Sequence, residues 1–232
     1  INLISIIEEK EKDNILSASK IIFNALKNKK MLHVFATGHS HMIAEEMFYR
    51  AGGLVQVDPV LIPYLMQHEG AYSSTKYERI SGLAKIIYEG LDLEEGEPFI
   101  IASNSGINAV PIEMAEIAKN NNHDVIVITS YESSKNLESR VESKKHLYDY
   151  ASVLIDNHVT HGDCIIETNE GNVGACSTIA GAYIVQRIVL DVIKLCEENN
   201  IDPLIYKSAN TGGDEHNKKM FEEYKKRIRS LY

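Results

Sequence analysis

Five short runs rich in Val, Ile and Leu, separated by stretches with helical periodicity, constrain this chain more than any other feature. The runs are 31–37, 54–61, 98–103, 124–129 and 151–156. Each is too short for a core helix and is bounded by Gly, Asn or Ser, so each reads as a buried strand. Helical spacing fills most of the intervals, at 41–51, 76–89 and 109–121. Alternating strand and helix implies a parallel sheet with helices on both faces. The expected fold is therefore α/β, a doubly wound five-stranded parallel sheet flanked by helices.

The flanks add helices to that core. Residues 2–28 carry Leu3, Ile6, Ile7, Ile15, Ala18, Ile22 and Leu26 at a period near 3.6, which predicts one or two amphipathic helices. The stretch 175–198 is apolar nearly all round, which predicts burial in the core or against a second copy. Thr75 and Glu78 have capping-box spacing, and Pro111 suits a first helical turn. The expected organisation is one domain over 1–232: N-terminal helices over 1–30, an α/β core over 31–200, and a C-terminal loop and helix over 201–232.

Composition narrows the partners. The 33 acidic against 24 basic residues give a net charge of −9, which opposes binding to a nucleic acid backbone. No apolar stretch reaches the roughly 20 residues of a membrane span, and the acidic start of the chain does not resemble a signal peptide. Three cysteines, Cys164, Cys176 and Cys196, are odd in number and without a CxxC pair, which points to reduced thiols and a cytoplasmic location. The expected partners are a small molecule and further copies of the chain, with no nucleic acid and no membrane.

In an open parallel sheet the ligand sits beyond the carboxyl ends of the strands. Two segments there match in character: Thr37-Gly38-His39-Ser40-His41 after the first strand and Ser103-Asn104-Ser105-Gly106-Ile107-Asn108 after the third. Each combines hydroxyls, backbone N–H groups and a helix start, a combination suited to phosphate. Neither has the Lys of a P-loop or the glycines of a dinucleotide fingerprint, so a small phosphoester fits better than a nucleotide.

These loops resemble those of the SIS, or sugar isomerase, domain family, through Gly38-x-Ser40-x-x-x-Ala44 and Ile101-Ala102-Ser103-Asn104-Ser105-Gly106-Ile107-Asn108. The resemblance implies a flavodoxin-like fold and a phosphate held by Ser40, Ser103, Asn104, Ser105 and Asn108, the last replacing the usual hydroxyl. Ala44-Glu45-Glu46-Met47-Phe48-Tyr49-Arg50 looks like a stretch of phosphoheptose isomerases, which implies Glu46 as a catalytic base, about four residues nearer its loop serine than in those enzymes. Glu46 also stands four before Arg50, the spacing of a helix ion pair.

Aldose–ketose isomerisation needs a base and a group that polarises a carbonyl. The histidine candidates are His39, His41, His158, His161 and His216. Glu215 and His216 lie in a polar tail, 208–217, that reads as a loop or as a lid supplying an acid–base pair. Ser130, Ser133, His39 and His161 offer further contacts to a sugar. His158, His161 and Asp163 carry donors a metal accepts, but no metal and no cofactor is expected. The expected function is a phosphosugar isomerase of phosphoheptose type. An amino-sugar-phosphate lyase or etherase and a non-catalytic sensor remain as alternatives, and a homodimer or homotetramer is expected from the apolar long helix.

Overall fold

Residues 2–231 are described by a computed structural model. The elements run α1 (Asn2–Lys10), α2 (Lys12–Leu26), β1 (Leu32–Ala36), α3 (Met42–Met47), β2 (Val57–Val60), α4 (Ala71–Tyr77), α5 (Leu83–Glu89), β3 (Phe99–Ala102), α6 (Ala109–Asn120), β4 (Val125–Thr129), α7 (Tyr131–Ser134), β5 (Val153–Asp156), β6 (Cys164–Thr168), β7 (Gly171–Ala175), α8 (Ser177–Glu198) and α9 (Asp214–Tyr224). The five expected strands form one parallel sheet in the order β2-β1-β3-β4-β5. This is the doubly wound sheet that alternating strands and helices implied.

Period-two alternation along the strands splits the core in two. Val34, Ala36, Ile100, Ile126, Ile128 and Ile155 face α2, α3 and α8, packing on Ile15, Ile22, Ile43, Ile184 and Ile188. Phe35, Phe99, Ile101, Val125 and Val127 face α5 and α6, packing on Ala84, Ile87, Ile112 and Met114. The long apolar helix α8 is thus consumed largely within the chain, where its principal neighbour is α2. Of the two expected alternatives this is burial in the core, although Ile179 and Leu190 of α8 stay exposed.

Two expected helices differ from those observed. The helix expected over 41–51 ends at Met47, because Phe48 is extended (ψ 134°) and Tyr49 is left-handed (φ 45°). Aromatic packing holds that turn: the Tyr49 ring meets Tyr206 and Phe221 edge-on at 4.9 and 5.1 Å. The helix expected over 76–89 is two helices, α4 and α5, broken where Gly82 adopts φ 85°. The Thr75–Glu78 capping box does not form. Thr75 lies inside α4 and donates to the Ala71 carbonyl, while Glu78 turns to Thr37. The hairpin of β6 and β7 was not anticipated; its alternation is weak, and Ile165, Ile166 and Val173 are all exposed. Among the described residues no helix is long and apolar enough to cross a membrane.

The amino edge of the sheet carries a buried charge cluster. His33, fully buried on β1, donates Nδ1 to Asp58 at 3.0 Å and Nε2 to Glu97 at 2.9 Å. Glu97, also fully buried, accepts the Met31 and Glu94 N–H groups and is clasped by Arg227 at 2.9 and 3.0 Å. Burial alone lowers the His33 pKa, but Asp58 and Glu97 together raise it above its usual value. Burial alone raises Glu97, yet the His33 hydrogen bond and two backbone N–H groups bring it down to about 2. Arg227 follows α9, so this cluster ties the C-terminal segment to the sheet.

Breaking a buried charge network by removing one partner costs about 3–5 kcal/mol. Glu97→Gln is expected to lose an amount of that order in urea unfolding at pH 7. The Glu97 contribution is present above its ordinary 4.5 and fades as pH falls toward 2, so the gap between wild type and variant narrows at pH 3. The His33 contribution has the opposite sense, present below 6.5 and lost as pH rises through its raised value.

Candidate phosphate-binding cleft

The cleft forms where β1 and β3 release their chains side by side. The register pairs Ala36 with Ala102, so Thr37 and Ser103 leave the sheet next to each other. After Thr37, a left-handed Gly38 (φ 57°) starts a single 3-10 turn, Gly38–His41, that runs into α3 and carries Ser40. After Ser103, the loop turns at Gly106 and enters α6, with Asn108 extended at its N-cap. Between them lies a narrow cleft with about 10 Å³ of water-sized space, bordered by Ser40, Ser103, Asn104, Asn157, Ser177 and Thr178 over Ile43, Ala102 and Ile128.

Backbone and amide contacts fix the third loop. The Asn104 side chain accepts Asn157 Nδ2 at 2.9 Å, and Asn157 in turn accepts the Val159 N–H at 3.0 Å. The Asn104 carbonyl accepts the Ser130 N–H at 3.1 Å, and Ser103 Oγ accepts the Gly106 N–H at 3.2 Å. Gly106 must be glycine on two counts. Its φ is 63°, and a Cβ there would stand 2.8 Å from Ser134 Oγ and 3.0 Å from Thr129 Oγ1.

Ser40, Ser103 and Asn104 meet at the cleft as expected, and Ser105 sits in the same loop beside them. Asn108 does not face the cleft; its Oδ1 accepts Arg140 Nη1. Glu46 is turned away as well. Its carboxylate accepts Gln186 Nε2 at 2.8 Å and Arg50 Nη1 at 2.7 Å, so it joins α3 to α8. Ser130 and Ser133 both donate to the Val159 carbonyl, which holds the loop after β5 and leaves neither hydroxyl directed at a sugar. His39 is exposed, while His161 borders a separate shallow groove with Ser133 and His158.

Glu215 and His216 lie at the opposite end of the sheet. The segment leading to α9 pairs beside Leu54 and Val55, which precede β2, and packs with Met31, which precedes β1. His216 Nε2 donates to the Ile205 carbonyl at 2.9 Å, and Glu215 is exposed. Within one chain, the tail therefore cannot close over the cleft. Glu11 and Asp156 bracket His158, at 2.8 and 3.5 Å. Asp163 caps α8 through the Cys176 and Ser177 N–H groups. Among the described residues no three His, Cys, Asp or Glu side chains are arranged to hold a metal.

Asn157, Ser177 and Thr178 are the cleft residues that sequence reasoning missed. Asn157 directly follows β5, so the rule that selected the two loops also selects it. Glu78 is described by its neighbours: Oε2 accepts Thr37 Oγ1 at 2.8 Å, and its backbone carbonyl accepts the Val110 N–H in the first turn of α6 at 3.0 Å. Burial raises its pKa, opposed in part by Thr37 and by the charges of Arg79 and Arg140.

This architecture and a polar cleft between the first and third loops define a phosphosugar-domain class, and the sequence comparisons agree. The chain belongs to the SIS domain family, whose profile matches residues 1–130. Its relatives include a UPF0309 protein of Geobacillus thermodenitrificans, 40% identical over 94% of this chain and 89% of the relative. Another, from Thermoanaerobacter pseudethanolicus, is 41% identical over 94% and 91%. In fold the chain resembles a phosphoheptose isomerase from Francisella tularensis, with a TM-score of 0.53 and 14% identity over 84% of this chain and 92% of that one. It also resembles a putative phosphosugar isomerase from Silicibacter pomeroyi, with a TM-score of 0.56 and 14% identity over 83% and 47%.

Gly106→Ala should cost about 1–3 kcal/mol through left-handed strain and loosen the third loop. Urea unfolding and a phosphate titration followed by 31P NMR check this: a variant with wild-type stability and phosphate affinity would contradict the strained-loop reading.

Proposed function

We propose that this chain binds a phosphorylated sugar with its phosphate between Ser40, Ser103 and Asn104, and that it isomerises that sugar between aldose and ketose forms. The convergence of two loop hydroxyls and an amide at one narrow cleft between the loops after β1 and β3 is the observation that carries the reading. No Lys or Arg borders the cleft, so the anion would be held by hydroxyls, backbone N–H groups and the helix dipole. Isomerisation moves a proton between adjacent carbons without a redox partner, which suits a site built from neutral donors and a nearby carboxyl group.

The phosphoheptose resemblance rested on Glu46, and the Glu46 contacts to Arg50 and Gln186 remove support for that assignment. Elimination and pure sensing are the competing readings, and one experiment separates all three. Wild-type protein incubated with a panel of aldose, ketose and amino-sugar phosphates, followed by 1H and 31P NMR, is expected to interconvert one aldose–ketose pair. Release of an ether substituent would support the lyase, and saturable binding without turnover across the panel would support the sensor. Each hydrogen bond to a charged group is worth about 1.5–3 kcal/mol, so Ser40→Ala and Ser103→Ala should each weaken binding by about 10- to 100-fold.

A homodimer or homotetramer is also proposed, on a different footing from the sequence argument. Four exposed apolar residues, Ile165, Ile166, Val173 and Ile179, lie on the β6–β7 hairpin and the start of α8. An isolated two-stranded hairpin is marginally stable in water, so a second copy would cover it. Sedimentation at micromolar concentration is expected to show more than one chain per particle, and Ile166→Lys to shift it toward monomer. The three unpaired cysteines support a cytoplasmic setting.

A further inference from the structure

We propose that Glu78 is the catalytic carboxylate that moves the proton, standing on the α6 side of the loop edge and facing a sugar whose phosphate is held in the cleft. The proposal rests on the isomerase reading above and gives it the base it lacks.

Two hydrogen bonds and one near approach place Glu78 beside the first loop and the helix that the third loop enters. Its Oε2 accepts the hydroxyl of Thr37, the last residue before the first loop. Its backbone carbonyl accepts the Val110 N–H at the start of α6, the helix that the third loop enters. Gly38 passes nearby: a Cβ there would lie 3.7 Å from Gln67 Nε2 and 4.0 Å from Glu78 Oε2.

Three other carboxylates near this edge are committed elsewhere. Glu46 is paired with Arg50, Asp156 accepts the Tyr131 and His158 N–H groups, and Asp163 caps α8. Glu78 makes no ion pair among the described residues, and burial disfavours its charged form, so the group can gain and lose a proton during a cycle. Glu78 stands at the C-terminal end of α4, where the helix gives way before α5.

The step balances without a further reactant. For an aldose, the Glu78 carboxylate takes the proton from C2, and the C2–H electron pair becomes the C1–C2 double bond of an enediol. The carbonyl pair moves to O1, which gains the proton that O2 gives up as C2 becomes the carbonyl carbon. Glu78 then returns its proton to C1. Nothing is oxidised or reduced overall beyond the internal exchange between C1 and C2.

The test uses the full chain in D₂O with an aldohexose 6-phosphate and a ketoheptose 7-phosphate, following exchange at the carbon next to the carbonyl by 1H NMR and affinity by calorimetry. Wild type is expected to exchange and interconvert at least one of them. Glu78→Gln should bind it within about threefold while exchange falls by about 10²- to 10⁴-fold, the usual range for a general base. Glu78→Asp, which keeps the charge and shortens the reach, should keep affinity and lose at least about tenfold in exchange. If Glu78→Gln fails to fold, Glu78→Asp decides: wild-type exchange in either folded variant overturns the proposal. Affinity lost in parallel with exchange overturns it too, since Glu78 would then be a binding group. A wild type that binds but never exchanges would overturn the isomerase reading itself, an outcome visible before any variant is compared.

Discussion

Parallel pairing of β1 with β3 is the constraint on which the rest depends. Its register, His33 with Phe99 through Ala36 with Ala102, delivers Thr37 and Ser103 to the same level of the same edge. The chain runs from β1 outward to β2 and then crosses to β3, so the sheet order reverses between these two strands. Loops that leave neighbouring strands in opposite directions open a crevice. Every polar group of the cleft is positioned relative to that crevice: Ser40 by the turn after β1, Ser103 and Asn104 by the loop after β3, Asn157 by the end of β5, and Ser177 by the start of α8.

The two edges of the sheet divide the electrostatic work. The amino edge buries His33, Asp58 and Glu97, and Arg227 clasps Glu97 to anchor the C-terminal segment there. The carboxyl edge is almost free of formal charge at the cleft, with hydroxyls and amides in place of cations. A net charge of −9 would repel an anion at long range, so recognition of one there would depend on short directed hydrogen bonds. Glu78 fits this division, a half-buried carboxyl group with a hydroxyl for a partner and arginine charges only at a distance.

Much of the fold was legible in the sequence because burial on both faces leaves a strong signal. Strands such as Val125–Thr129 read as continuous apolar runs, and the glycine and serine after them mark the loops. What was not legible depended on contacts between segments far apart in sequence. Glu46 stands at helical spacing from Arg50, but only the packing of α3 on α8 shows Gln186 taking its other oxygen. Glu78 looked like a capping residue because Thr75 precedes it by three, and its true partner Thr37 lies 41 residues away. The lid reading of Glu215 and His216 failed because composition cannot tell which end of a sheet a tail returns to. The bridge from Leu54 to Ile205 decides that.

A crystal structure with a bound sugar phosphate tests the central claim most directly. The account predicts phosphate oxygens within hydrogen-bond distance of Ser40 Oγ, Ser103 Oγ and the N–H groups of the third loop, with the sugar carbons on the Glu78 side. A phosphate bound at the amino edge beside His216, or in the groove beside His158 and His161, would contradict it.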